Sequence, residues 1–475
     1  MTKQQVGGGT QSAGQGAALG VEQRSIDFVP PEERHGSVWR LFTVWFGANM
    51  QVTTAVTGAL GVVLGLPLPW ALVALVVGNL LGAIFMALHS AQGPKLGIPQ
   101  MIQSRAQFGF YGAILPLLLV VLMYVGFFAT SAVLGGAALA DWWGIGRTPA
   151  TIVVSAVCTV LAAYGYRLIH QYEQWVSLIA AVGFLYLTYH LLTGHHVGRV
   201  WHSGHVGAGT FLLVVAIAAT WQITYAPYVA DYSRYLPEDT SVRAAFWWTY
   251  GGSVLGTVWM MAFGSVCAAV AAKSFEGGSV SFVVGLAEPH WAFSLIIVLG
   301  IVAVNVLNLY GMFMSATTTL TALRPMRMNA GVRLVFVLLA AVVGTVVALA
   351  ASADFLHNFE NFILFLAYFL IPWTAINLID FYFVRKERYD IDAIFRPDGV
   401  YGGFNWRTIG AYVIGVLVEV PFVSSTFFTG PFVKHLGGAD ISWIIGLIVA
   451  SALYYVWMAP VARRVADASP RGAET

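Results

Sequence analysis

The chain has 475 residues, 58% of them hydrophobic, 14% aromatic and only 10% charged, with a mean hydropathy of +0.75. Soluble globular proteins carry about 25% charged residues, so this composition excludes soluble, secreted, fibrous and disordered classes and leaves an all-α polytopic membrane protein. The net charge of +2 carries no signal for nucleic acid, none is expected as a partner, and two cysteines, Cys158 and Cys267, cannot build a disulfide framework.

A helix needs about 20 mostly apolar residues to cross a bilayer. Twelve segments meet that requirement: 39–64, 69–90, 113–141, 148–164, 167–192, 208–234, 242–271, 293–322, 331–352, 355–381, 408–427 and 440–461. Residues 1–37 read as a disordered tail, polar and glycine-rich at first and without the apolar core of a signal peptide; residues 462–475 read as a second tail. Placing both termini in the cytoplasm puts all the Lys and Arg residues except Arg147, Arg199, Lys273 and Lys434 on the inner side. That sorting is the positive-inside rule, and it predicts an integral protein of the plasma (inner) membrane.

Two spans break the rules of bilayer-spanning helices. The first contains Trp45-Phe46-Gly47-Ala48-Asn49-Met50-Gln51, where glycine and two amides interrupt the apolar run. The sixth contains Thr220-Trp221-Gln222-Ile223-Thr224-Tyr225-Ala226-Pro227-Tyr228, where proline removes a helix hydrogen bond. Irregular backbone at membrane depth is tolerated only where it packs in protein or lines a wet cavity. Spans one and six correspond if the first ten form two inverted units of five, and paired interrupted helices mark a transporter's central site. The units are then 38–192 and 208–381, with spans eleven and twelve (408–461) appended. Each unit carries a polar, amphipathic stretch between its second and third helices, Lys95 to Phe110 and Ser274 to Trp291. In the eighth span, Asn305 and Asn308 lie three apart and share one helix face, suited to an edge that offers donors and acceptors together.

Four motifs then stand in order along the chain: Gly97-Ile98-Pro99 with Ser104-Arg105-Ala106-Gln107-Phe108-Gly109, Ile169-His170-Gln171-Tyr172-Glu173-Gln174-Trp175, Tyr225-Ala226-Pro227-Tyr228-Val229-Ala230-Asp231-Tyr232-Ser233-Arg234-Tyr235, and Asn305-Val306-Leu307-Asn308-Leu309-Tyr310. With them the chain, from about Val38 to Ala459, resembles the type 1 nucleobase:cation symporters, purine–cytosine permease branch. The resemblance implies a LeuT-like 5+5 inverted repeat plus two C-terminal helices, and a secondary carrier that imports a small heterocycle of the cytosine or purine class by alternating access. It implies a substrate ring held between aromatics of spans three and six, with its edge read by amides of spans eight and six. Carried over, these are Asn305, Asn308, Trp221 and Gln222, with either of the last two taking the aromatic position. Span three departs from the family pattern of Trp and an amide; it reads Tyr124-Val125-Gly126-Phe127-Phe128-Ala129-Thr130-Ser131, in which Phe127 stacks and Tyr124 or Ser131 donates. Asn49, beside the first break, completes the expected set. Allantoin, hydantoins and pyrimidine or pyridine-type vitamins are the alternative substrates; a channel or a membrane enzyme is the alternative class, and the chain lacks a phosphate-binding loop or HExxH motif.

No organic cofactor or bound metal is expected, and the coupling ion is H⁺ or Na⁺. Sodium-coupled relatives place Na⁺ between backbone carbonyls of the broken first helix, here Gly47 and Ala48, and hydroxyls of the eighth; the residues before Asn305 are Ala303 and Val304. That favours a proton. Its candidate carriers are Glu173, Asp231, Glu360, Asp380 and Glu419, because acids at membrane depth are functional by default. Glu419, outside the ten-helix core, and the Asp231–Arg234 pair read as structural. His195, His196, His202 and His205 read as a solvated loop, not a zinc site.

Overall fold

The computed structural model describes residues 26–164, 166–202, 204–324, 330–425 and 428–468. Residues 1–25 of the expected N-terminal tail and 469–475 of the C-terminal one lie outside the described residues. The fold is helical, and the only strand pairing among the described residues is a single bridge between Ser424 and Thr429. Its principal helices are α1a (Arg40–Ala48), α1b (Val52–Val63), α2 (Leu68–Ser90), α3 (Ile114–Trp143), α4 (Arg147–Tyr164), α5 (Tyr166–Gly194), α6a (Ala208–Ile223), α6b (Val229–Ser233), α7 (Val242–Val270), α8 (His290–Leu323), α9 (Ala330–Ala351), α10 (Phe355–Ile379), α11 (Trp406–Glu419) and α12 (Ser442–Ala468). Seven helical stretches among the described residues are long and apolar enough to cross a bilayer, and α1b, α4 and α6a are shorter apolar helices.

Several boundaries differ from expectation for identifiable reasons. The first and sixth spans are each two helices, since Asn49–Gln51 and Thr224–Tyr228 leave the helical ladder. Helix α11 ends at Glu419 and not near 427, because Pro421 follows and a short 3₁₀ turn, Val420–Phe422, takes over. Helix α12 runs on to Ala468, through residues expected to begin a tail. The expected disordered tail is also corrected at residues 26–37. There Arg34 donates from Nε to the Val29 carbonyl (2.9 Å) and from Nη1 to the Pro94 carbonyl (2.7 Å), while the Val29 N–H donates to Gly97 (2.8 Å). Burial pulls the Arg34 guanidinium below its ordinary value, opposed by Glu238 and Glu32.

Glycines bring one group of helices close. A Cβ at Gly78 or Gly82 of α2 would lie 2.4 Å from the Val215 carbonyl or 2.3 Å from that of Ala219 on α6a, and one at Gly58 of α1b would lie 2.1 Å from the Met261 carbonyl on α7. Lipid offers no hydrophobic drive between helices, so small residues at close contacts supply the packing energy. In this way α1, α2, α6 and α7 form one bundle. Helix α3 packs on α8, α4 and α9 as a second body, and α10 and α11 pack on α12. The two polar stretches fold as paired short helices, Gly93–Leu96 with Gln100–Phe108 and Ala272–Gly277 with Ser279–Val284.

Candidate substrate site

The break in α1 is stabilised by the amides that made it visible. Where the ladder stops, Asn49 Nδ2 donates to the Trp45 carbonyl (2.8 Å) and Gln51 Nε2 to the Ala48 carbonyl (3.0 Å). Each side chain satisfies an acceptor that the interrupted helix would leave bare. Asn49 Oδ1 then accepts from Trp221 Nε1 (2.9 Å) and the Tyr225 hydroxyl (3.0 Å), fastening one break to the other. In α6 the Thr224 hydroxyl donates to the Trp221 carbonyl (2.7 Å), closing the end of α6a before Pro227.

A cavity of about 120 Å³ starts at these breaks and continues past Asp231, Ser315 and Thr318 to the short helix that follows Pro99. Tyr124, Phe127 and Ser131, at steps of three and four on α3, all face it. Phe127 stands edge-on to Trp221 in the cavity lining, 5.8 Å between centroids at 88°. The Tyr124 ring lies 5.7 Å from that of Tyr228 and passes over Gly311 of α8, where a Cβ would fall 2.3 Å from its Cζ. Trp45 packs 5.3 Å from Tyr225 and from Tyr232, and all three line the cavity.

The expected site residues divide into those that face the cavity and those that stand behind it. Trp221 lines it; Gln222, next in sequence, points the other way, accepting from Ser253 (2.6 Å) and donating to Asn79 (2.9 Å) and Thr257 (3.0 Å). It joins α6a to α2 and α7. Asn308 lines the cavity, whereas Asn305 is fully buried beneath it, donating to the Phe128 carbonyl of α3 (3.1 Å) and accepting from Asn308 Nδ2 (3.1 Å). Asn49 too is fully buried behind the wall, while Ala48 lines the cavity and Gly47 packs on Ser177 of α5.

The expectation passed over Gln51, Thr53 and Trp45 as cavity groups. Among the described residues, Gln51 Oε1, Thr53 Oγ1, Trp45 Nε1 and Ser131 Oγ are buried without a hydrogen-bond partner, and the four residues that carry them line the cavity. Buried polar groups are normally paired, so four unpaired ones around a single space are what a polar-edged ligand would complete. Gln51 was readable in principle: an amide just before a helix start sits in extended backbone (φ −144°), which turns it out of the ladder.

The expected acids also separate. Asp380 is an anchor: its Oδ2 accepts from Gln107 (2.9 Å), Arg385 Nε (3.1 Å) and Tyr389 (2.8 Å), and its Oδ1 from Tyr454 (2.7 Å). Asp231 lines the cavity and accepts from the Gln100 N–H (2.7 Å). Glu360 lines a second cavity, about 560 Å³, with Arg147, Glu276 and His357. Glu419 is buried in α11, and the side chain of Glu173, on α5, lies outside the described residues. Among the described residues no three metal-ligating side chains cluster.

Comparison with known proteins agrees with this architecture. A family model described as a permease for cytosine/purines, uracil, thiamine and allantoin matches residues 28–446. The chain is 48% identical over 441 residues to YxlA of Bacillus subtilis, which bears a purine-cytosine permease name, covering 93% of this chain and 96% of YxlA. It is 27% identical to the purine-cytosine permease fcyB of Emericella nidulans, covering 92% and 88% of the two chains. Among solved structures it is similar to Mhp1, a nucleobase-cation-symport-1 family transporter. The closed form with bromovinylhydantoin bound gives a TM-score of 0.72 at 20% identity, covering 96% of this chain and 98% of that one. The inward-facing form gives a TM-score of 0.76 at 19% identity, covering 96% of each. The chain belongs to the permease family for cytosine/purines, uracil, thiamine and allantoin, whose members are membrane transporters and not enzymes.

Proposed function

We propose that this protein is a secondary carrier that takes a nucleobase of the cytosine or purine class into the cell, using a proton gradient. The observation that carries the reading is the slot itself: Phe127 and Trp221 line a cavity where two broken helices meet, together with Gln51 and Ser131, whose Oε1 and Oγ have no partner among the described residues. A planar, uncharged heterocycle needs aromatic walls and a few amides or hydroxyls for its edge, and no charged group. Asn308, held by Asn305, and Gln51 read that edge. Trp221 takes the aromatic position on α6a, and Tyr124 supports it from α3. The names of YxlA and fcyB support the purine–cytosine class over the allantoin permease of Bacillus subtilis, to which identity is 23%.

The chain crosses the membrane twelve times, as two inverted units of five and a final pair, with both ends cytoplasmic. The cavity then opens inward, past the basic inner segments, and the bundle of α1, α2, α6 and α7 rocks against α3, α4, α8 and α9. Proton coupling is favoured over sodium because a hard cation at the α1 break wants oxygen ligands, whereas α8 offers Val304 and Leu307 to that part of the cavity, with Ser and Thr hydroxyls in the lining only at Ser315 and Thr318, about three turns on. The test is uptake of labelled cytosine, adenine and hypoxanthine by wild type and Asn308→Ala. Loss of uptake at unchanged membrane abundance supports the reading; uptake at wild-type apparent affinity refutes the role of Asn308.

A further inference from the structure

Helix α11 contributes nothing to the cavity, yet it ends on an acid in an unusual position. Glu419 is 1% exposed and, among the described residues, no hydrogen-bond donor reaches either carboxylate oxygen. The side chain is pressed against α12 at Gly446, where a Cβ would lie 1.6 Å from Oε1. Asp440, equally buried at 1%, has the opposite surroundings. Its Oδ1 accepts from the Ser442 N–H (2.9 Å) and hydroxyl (2.5 Å), and its Oδ2 from the Ser424 N–H (2.8 Å) and the Tyr368 hydroxyl (3.0 Å). The titratable groups whose charge bears on Glu419, among the described residues, are Asp440 from the segment before α12, Tyr368 from α10 and Tyr412 from α11 itself.

Asp440 thus has four donors on its two oxygens. A charged Glu419, buried without a donor among the described residues, would cost several kcal/mol, and a bound proton removes that cost. We propose that Glu419 is a proton-binding site, the residence of the coupling ion, and that Tyr368 and Asp440 transmit its occupancy to α10. The proposal rests on the carrier reading above. Helix α10 is the physical connection: six residues before Tyr368 it carries Phe362, edge-on to the cavity-wall ring Phe127 at 5.2 Å, and Glu360 at the second cavity. When the proton leaves, the new charge on Glu419 acts on the hydrogen bond from the Tyr368 hydroxyl to Asp440. The resulting pull on α10 reaches the substrate slot through Phe362.

The experiment uses the full-length protein in proteoliposomes, as wild type, Glu419→Gln and Tyr368→Phe. Exchange of labelled cytosine or adenine at equilibrium and accumulation under an inward pH gradient are measured in parallel. Infrared difference spectra between high and low pH record whether a neutral buried carboxyl is present. Glu419→Gln is expected to keep exchange, lose gradient-driven accumulation and lose the neutral-carboxyl band; Tyr368→Phe is expected to keep the band and accumulate less. Wild-type accumulation in Glu419→Gln, or a neutral-carboxyl band unchanged by that substitution, overturns the proposal. Accumulation by wild type under a Na⁺ gradient alone overturns it as well, by removing the coupling proton. Absence of exchange by wild type for any base would instead refute the carrier reading, while the infrared band still decides whether Glu419 holds a proton.

Discussion

Replacing Asn49 by alanine tests the joint between the two broken helices. The substitution removes three hydrogen bonds at once, one donated to the Trp45 carbonyl and two accepted from Trp221 and Tyr225, at a position with no solvent exposure. Interhelical hydrogen bonds in membrane proteins average about 0.6 kcal/mol and reach about 1.7, so the two to Trp221 and Tyr225 sum to roughly 1–3 kcal/mol, and the bond to the Trp45 carbonyl within the first span adds about 1 kcal/mol. Part of that loss appears as stability and part as affinity, because a Trp221 indole without its acceptor is free to rotate in the wall. The Asn49–Trp221 bond is isolated by a double-mutant cycle with Trp221→Phe, which keeps a ring and removes the donor. Apparent affinity from competition uptake, at matched membrane abundance, is expected to give a coupling of about 0.6–1.7 kcal/mol, or roughly threefold to twentyfold. Thermal unfolding in detergent is expected to fall for Asn49→Ala more than for Trp221→Phe. Additive effects of the two substitutions, or an Asn49→Ala protein with wild-type stability and affinity, would refute the reasoning.

Other expectations follow from the same geometry. Phe127→Trp is expected to retain transport and Phe127→Ala to lose it, measured as initial uptake rate; equal rates would remove Phe127 from the wall. Gln222→Leu is expected to lower thermal stability by roughly 1–3 kcal/mol, the cost of orphaning buried polar partners, while leaving the order of preference among bases unchanged, which competition assays read directly. Gly311→Ala forces the Tyr124 ring aside, since the new Cβ meets it at 2.3 Å, and is expected to weaken substrate affinity more than folding. Asp380→Asn leaves Arg385 without its anion (3.1 Å) and is expected to reduce the amount of folded protein in the membrane, read by fluorescence-detected gel filtration.

The helical fold and its two interruptions are legible in the sequence because their causes are local. Apolar length marks a span, proline at 227 removes a ladder bond, and amides at 49 and 51 stand where carbonyls need donors. Side-chain direction is less legible. Trp221 and Gln222 are neighbours, and a helix turns each residue by about 100°, so one enters the cavity and the other joins α2 and α7; only the positions of Asn79, Ser253 and Thr257, far along the chain, decide which. The same limit applies to Asn305 and Asn308. Their spacing correctly puts them on one face, but the partner that draws Asn305 inward is a backbone carbonyl of α3, which has no sequence signature. The packing of residues 26–37 is likewise invisible locally, since Arg34 finds its acceptors at Val29 and Pro94.

The most direct measurement is accumulation of labelled cytosine, adenine, hypoxanthine, uracil and allantoin in vesicles containing the purified protein, with a pH gradient and a Na⁺ gradient imposed separately. Accumulation of cytosine or a purine under the inward pH gradient, and not under the Na⁺ gradient, is the predicted result. Accumulation of allantoin alone, or of any base under Na⁺ alone, would contradict it.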